Sequence, residues 1–292
     1  MAGNFCWDIR RGGGSCGNET DLLRFPAFAY NQRIKLTRKG IRMTGLQYQR
    51  VLIKLSGEAL STNGKLGIDP PSALEIATKI KQLYETGAQI AVVIGGGNLW
   101  RGRIGIEVGM DQPTADYMGM LATVMNSLVL MDSLEKIGVM TRVQTAISMP
   151  TIAEPYIRRR AIRHIEKGRV VIFGGGTGNP LCTTDTAAAQ RAIEINADLL
   201  IKATKVDGVY DSDPKRNPDA KRYERISYMD VLSKRLGVMD STAISMCMDY
   251  KMPMMILNFW DDGALIRAVH GETVGTIDRK STRLNSSHVK LS

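Results

Sequence analysis

The chain has 292 residues, 43% hydrophobic, 23% charged and 6% aromatic, which suits a sizeable apolar core and excludes disordered and fibrous classes. No run approaches the roughly 18 consecutive apolar residues of a membrane-spanning helix. The longest candidate is Ile90 to Ile94, and the N-terminus lacks the apolar stretch of a secretion signal. A soluble, cytoplasmic protein is the expectation. Cys6, Cys16, Cys182 and Cys247 are scattered without a C-x-x-C pair, which argues against a structural zinc site or a disulfide framework. The formal charge of +10 divides into +5 over residues 1–42, +3 over 278–292 and only +2 over 43–277. A nearly neutral body lacks the clustered basic face of a nucleic-acid binder.

In chain order, residues 1–42 show neither period two nor period 3.6 and are expected to be a disordered or non-native extension, with Met43 a candidate true start. Apolar runs predict strands at Val51–Leu55, Gln89–Ile94, Val139–Val143, Arg169–Phe173, Asp198–Lys202 and Met254–Leu257. Helical patterns fall between them, at Ser72–Thr86, from about Thr114 to Lys136, and at Tyr156–Lys167, Asp185–Asn196, Tyr228–Leu236, Asp240–Tyr250 and Gly263–Val269. This alternation predicts one α/β domain over 43–277, a sandwich with a mainly parallel central sheet and helices on both faces. The Ser-rich tail, 278–292, carries no core pattern.

Three glycine-bearing loops each follow a predicted strand: Lys54-Leu55-Ser56-Gly57, Gly95-Gly96-Gly97-Asn98, and Gly174-Gly175-Gly176-Thr177-Gly178-Asn179. In an open α/β sheet ligands bind beyond the carboxyl ends of the strands. Glycine lets a phosphate approach backbone N–H groups, and a following helix N-terminus favours its charge. None of the loops fits G-x-x-x-x-G-K-[ST] or G-x-G-x-x-G. Lys54 lies inside an otherwise apolar strand end, where an unpaired ammonium is costly, so it is expected to face a polar crevice. Arg101 offers a planar fork suited to phosphate. Asp116 and Asp185 sit in predicted first helical turns, a placement the helix dipole alone would explain. Asp185 also closes the third loop, where its carboxylate could hold Lys54.

Hydrolytic chemistry finds no support. His164, His270 and His288 are the only histidines, and no Ser/His/Asp set or nucleophile elbow can be assembled. Phosphoryl transfer fits, because positioning and charge neutralisation perform most of its catalysis. An acceptor that is itself a phosphate is already anionic and needs no general base.

Five blocks now match a known pattern: Lys54 to Leu60, Ile94 to Gly102, Ala115 to Met120, Thr177 to Pro180 with Thr183-Thr184-Asp185, and Lys202 to Tyr210. From about Tyr48 to Ile277 the chain resembles the bacterial UMP kinases of the amino-acid kinase superfamily. The resemblance implies the three-layer amino-acid kinase sandwich and transfer of the γ-phosphoryl group of ATP to UMP, giving UDP and ADP for pyrimidine nucleotide synthesis.

Carried over by position, Lys54, Ser56, Gly57, Gly97 and Arg101 would hold the ATP phosphates, with Lys54, Arg101 and Asp185 as the catalytic set. Thr204, Tyr210 and Asp213 would form the adenosine pocket. Gly96, Asp116, Thr177, Gly178, Asn179, Pro180, Thr183 and Thr184 would receive UMP, Asp116 through its ribose hydroxyls. Magnesium would arrive bound mainly through nucleotide phosphates, in keeping with the absence of a carboxylate cluster of metal-ligand spacing. A homohexamer with GTP and UTP as effectors is also implied. Cys182 stands where the family often has an aromatic or other apolar residue and is expected to act as a small hydrophobe. The alternatives are a kinase of amino-acid carboxylates with the same fold, and a non-catalytic storage or regulatory relative.

Overall fold

The computed structural model describes residues 45–62, 66–212, 217 and 219–278. The expected extension over 1–42 lies outside them, as does the expected tail after its first residue. That residue, Asp278, closes the last strand instead of opening a structureless segment.

The elements run β1 (Arg50–Leu55), α1 (Pro70–Glu85), β2 (Gln89–Ile94), α2 (Gly102–Glu107), α3 (Gln112–Lys136), β3 (Thr141–Thr145), β4 (Glu154–Pro155), α4 (Arg158–Glu166) and β5 (Val170–Gly174). There follow α5 (Thr184–Glu194), β6 (Leu199–Thr204), the hairpin β7 (Val209–Tyr210) and β8 (Arg222–Tyr223), α6 (Tyr228–Ser233), α7 (Ser241–Asp249), β9 (Met254–Asn258), α8 (Ala264–Val269) and β10 (Thr276–Asp278). A 3-10 turn, Gly57–Leu60, follows β1.

Eight strands form one sheet in the order β10-β9-β6-β1-β2-β5-β3-β4, parallel except for the antiparallel edge strand β10. Period-two alternation divides each central strand between two cores. On β1, Val51, Ile53 and Leu55 join the core that includes residues of α1, α3 and α8. Leu52 faces the other way, into the core built with α4, α5, α6 and α7. Helices therefore cover both faces, as a parallel sheet requires. The chain leaves β1 toward β2 on one side and later fills β6 on the other, so β1 and β6 flank a topological switch point.

Several expected bounds shift by two or three residues, among them the helix expected over Tyr228–Leu236, which ends at Ser233. The third strand begins at Thr141 rather than Val139. Gly138, at φ +86, and Val139 close α3 by returning their N–H groups to Glu135 O and Leu134 O, a Schellman closure that withdraws Val139 from the ladder. The helix expected from Tyr156 begins at Arg158, because Glu154–Pro155 pairs with β3. The 3-10 turn, α2, β4, the β7–β8 hairpin and β10 are too short to produce a legible period.

Helix α3 is 25 residues long, and its most apolar 18-residue window reaches a mean hydropathy of 1.2, enough by length and composition to cross a bilayer. Half of that window is buried, with Leu130 and Leu134 in the sheet-facing core. That is the position of a core helix.

Candidate active site

Lys54 and Lys202 are register partners on adjacent parallel strands, so their side chains project on the same face. That face carries α5, whose first turn places Asp185 above them. Lys54 Nζ lies 2.7 Å from Asp185 Oδ1 and Lys202 Nζ 2.8 Å from Asp185 Oδ2, with the lysine side chains only 11% and 17% exposed. Lys202 also donates to the Val238 carbonyl. Burial pushes the Asp185 carboxyl up, but the two ammonium charges outweigh it and hold the group below its ordinary value. Burial lowers Lys202, with the charge of Lys54 adding to the effect and Asp185 opposing it. Two ammoniums sharing one carboxylate leave a net positive charge in a partly dry place, which favours an incoming anion.

The first two glycine loops and the first turn of α5 meet at Gly95. A Cβ there would lie 3.1 Å from Gly57 N and 3.5 Å from Thr184 Oγ1, placing all three chain segments in contact. Gly57 is required sterically, since a Cβ would run into the Gly95 carbonyl and come within 2.6 Å of Asn98 Oδ1. Gly96 is similarly confined by Gly119 O at 2.7 Å and Ala122 Cβ at 2.8 Å. Gly97 has nothing within 4 Å of the added Cβ and no positive φ, so neither the neighbouring protein atoms nor its backbone conformation demands glycine. Gly175, Gly176 and Gly178 hold φ of +76, +58 and +88, a left-handed series that L side chains resist.

Among the described residues, three cavities line the carboxyl ends of the strands. One of about 290 Å³ is bounded by Lys54, Ser56, Glu58, Lys202, Thr204 and Trp260. A larger one of about 530 Å³ shares Lys202 and Thr204 with it and adds Tyr210, Arg235 and Ile256. The third, about 130 Å³, is walled by Gly96, Gly97, Trp100, Asp116, Gly176 and Thr184. Cys182 and Thr183 also line this third space. Cys182, expected as a small hydrophobe in this loop, is exposed there.

The other candidate residues are distributed unevenly. Arg101 bonds Glu58 Oε1 through Nη2 at 2.7 Å and Gly97 O through Nε at 3.2 Å, and it lines none of the three cavities. Ser56 caps the 3-10 turn by accepting from Glu58 N at 3.3 Å. Asp116 Oδ2 accepts the Leu181 N–H at 2.9 Å. Thr177 closes a small turn with the Asn179 backbone, and neither these two residues nor Gly178 and Pro180 line the third cavity. Thr183 caps α5 by accepting from Asp185 N at 3.0 Å and donates to Asp240. Thr204 Oγ1 turns back to Val206 O at 2.6 Å, and Tyr210 OH donates to Asp207 at 2.7 Å. Asp213 lies outside the described residues.

Three site residues were not singled out from the sequence: Lys202, Glu58 and Asp240. Lys202 was detectable by the reasoning applied to Lys54, because it too lies near the end of an apolar strand. Asp240 was not: it caps α7 by accepting from Ala243 N at 2.8 Å and reaches Thr186 at 3.0 Å, a relation visible only after folding. Among the described residues no three His, Cys, Asp or Glu side chains cluster as metal ligands. Asp185 is engaged by two lysines and Glu58 by Arg101.

The sequence pattern of the Amino acid kinase family matches residues 49–258, a span that includes Lys54, Asp185, Lys202 and Asp240. The chain belongs to the amino acid kinase family. Among solved structures, UMP kinase from Bacillus anthracis is 42% identical over 81% of this chain and 98% of its own, with a TM-score of 0.78. UMP kinase from Ureaplasma parvum is 37% identical over 80% and 100%, with a TM-score of 0.75. Uridylate kinase from Archaeoglobus fulgidus is 30% identical over 78% and 99%, with a TM-score of 0.61. The mainly parallel sheet with helices on both faces is thus an amino acid kinase fold, and β10 lies beyond the matched span.

Proposed function

We propose that the chain is a nucleoside monophosphate kinase that moves the γ-phosphoryl group of ATP onto UMP, yielding ADP and UDP. The observation that carries this reading is the Lys54–Asp185–Lys202 bridge, with nucleotide-sized space lined by Lys202 and an Asp116-lined cavity that reaches Thr184, the neighbour of Asp185. Its support in the comparisons is that the similar solved structures are UMP and uridylate kinases.

An oxygen of the UMP phosphate attacks the γ-phosphorus, the bond to the β-phosphate oxygen breaks, and ADP departs with the electron pair. The attacking oxygen carries no proton, so no base is required. Lys54 and Lys202 offset the charge spread over the transferring group, while Asp185 fixes both ammoniums before substrate arrives, avoiding reorganisation during transfer. Thr204 and Tyr210 belong to the adenosine side. Gly96, Thr183, Thr184 and Asp116 belong to the acceptor side. Magnesium, held mainly by the nucleotide phosphates, would neutralise part of their charge when bound.

The exposed row Tyr117, Met118, Leu121 and Met125 on α3 is apolar surface that a homohexamer would bury. Sedimentation of the wild type against Leu121→Glu tests this assembly, and titration with GTP and UTP tests both as effectors. A cytoplasmic place in pyrimidine nucleotide synthesis completes the reading.

A coupled assay offering UMP, CMP, AMP, acetylglutamate and aspartate tests the substrate. UMP turnover far above the others is the expected result, and turnover of an amino acid with none of UMP overturns it. Lys54→Ala is expected to abolish turnover while largely sparing UMP binding.

A further inference from the structure

Helix α3 carries part of its polarity inside out. It exposes Tyr117, Met118, Leu121 and Met125, yet buries Thr123, Asn126 and Ser127. Ser127 only donates back to Thr123 O within the helix. Thr123 and Asn126 reach outward, each to a different glycine loop. Asn126 Nδ2 donates to Gly95 O at 2.7 Å. Thr123 Oγ1 donates its single proton to Met120 O at 2.6 Å, which leaves a lone pair for the Gly175 N–H at 2.8 Å.

We propose that Thr123 is a positioning residue for acceptor binding, one that fixes the Gly175 peptide and through it the glycine turn forming one wall of the acceptor cavity. The proposal rests on the reading of UMP as the acceptor. Gly175 and Gly176 are both left-handed and lack side chains with which to anchor themselves, so the orientation of their peptides depends on what their backbone groups bond. Gly176 lines the acceptor cavity, as does Thr123. The far end of the same loop is tied at Leu181, whose N–H donates to Asp116. Asp116 and Thr123 are seven residues, about two turns, apart on one helix. One rigid element therefore ties the acceptor loop at both ends, and a valine at 123 would remove the tie to the Gly175 N–H while keeping the helix and the bond from Ala146 N–H to the Gly174 carbonyl at 3.1 Å.

Thr123→Val and the conservative Thr123→Ser form the test, read by steady-state kinetics and by amide hydrogen exchange of the ligand-free chain. The valine variant is expected to raise the KM for UMP about tenfold, the effect of leaving a buried N–H without its acceptor. The KM for ATP should stay unchanged, and Thr123→Ser should restore the wild-type KM for UMP. Exchange at Gly175 should accelerate in the valine variant and not in the serine variant. An unchanged KM for UMP, equal rises in both KM values, or failure of serine to restore binding would overturn the proposal. Wild-type enzyme inactive on UMP would instead overturn the functional reading, and exchange at Gly175 would then decide separately whether Thr123 fixes the loop.

Discussion

Lys54 on β1 and Lys202 on β6 stand side by side in the sheet and share one carboxylate, with their Nζ atoms 2.7 and 2.8 Å from the two oxygens of Asp185. Parallel register alone would place two like charges together. The N-terminus of α5 supplies the anion that permits it.

Removing that anion should therefore cost more than either lysine alone explains. Asp185→Asn leaves two ammoniums facing each other with little solvent, and a loss of about 3 kcal/mol in unfolding free energy is expected. Turnover should fall about 100-fold or more, as when a preorganised electrostatic group is lost. Because the folded-state pKa of Asp185 is lowered, its stabilising contribution is complete above the ordinary carboxylate value near 3.9 and disappears as pH falls through the folded value beneath it. Acid titration of wild type and Asp185→Asn by circular dichroism should differ in that region. Coincident acid transitions would refute the assignment.

Lys202 predicts the alkaline behaviour. Burial lowers its pKa, so the folded protein releases this proton before an unfolded lysine would, below the ordinary value of about 10.4. Loss of the charge should depress kcat/KM along a limb centred below that value. The sign for stability is opposite: the unfolded chain binds more protons in this window, so stability rises with pH there. Lys202→Arg stays charged and should abolish the limb in a pH–rate profile. A limb that survives the substitution belongs to another group.

Gly57 and Gly97 offer a paired test of why glycine occupies each loop. In Gly57→Ala the methyl meets the Gly95 carbonyl and Asn98 Oδ1, and a destabilisation of about 1–3 kcal/mol is expected from overpacking. Gly97→Ala meets nothing within 4 Å, so thermal unfolding should be unaltered. If a phosphate occupies that space, the same variant should raise the KM of a nucleotide substrate. Unchanged KM values with an unchanged melting point would remove Gly97 from the binding surface.

Asp116 already spends one oxygen on the Leu181 N–H at 2.9 Å, leaving the other for a ligand hydroxyl. Asp116→Ala should raise the KM for UMP at least tenfold, corresponding to lost charge-assisted hydrogen bonds of about 1.5–3 kcal/mol, with the KM for ATP unchanged. Asp116→Asn can still accept from Leu181 and should fall between the two. Calorimetric titration with UMP checks the ranking directly.

The exposed Glu58–Arg101 pair, 46% and 47% accessible at a separation of 2.7 Å, should contribute less than about 1 kcal/mol to stability. Glu58→Gln frees the guanidinium and is expected to leave the melting point nearly unchanged. A large loss of stability would mean that the pair holds the 3-10 turn as well.

Residue order by itself determined the α/β class, because apolar runs at strand ends alternate with 3.6-residue periods and glycine stops, and those signals are local. It also marked Lys54, since an ammonium inside an apolar strand end must find a polar outlet, and Asp185, which opens a helix after a threonine pair. The short elements β4, β7, β8 and β10 left no period to detect. Folding alone decided that Lys202 lies beside Lys54, since that follows from pairing between strands almost 150 positions apart in the chain. It also decided that Arg101 turns to Glu58 and that buried Thr123 and Asn126 serve the glycine loops. Hydrogen-bond partners and desolvation depend on which distant segments meet, a relation that local periodicity does not encode.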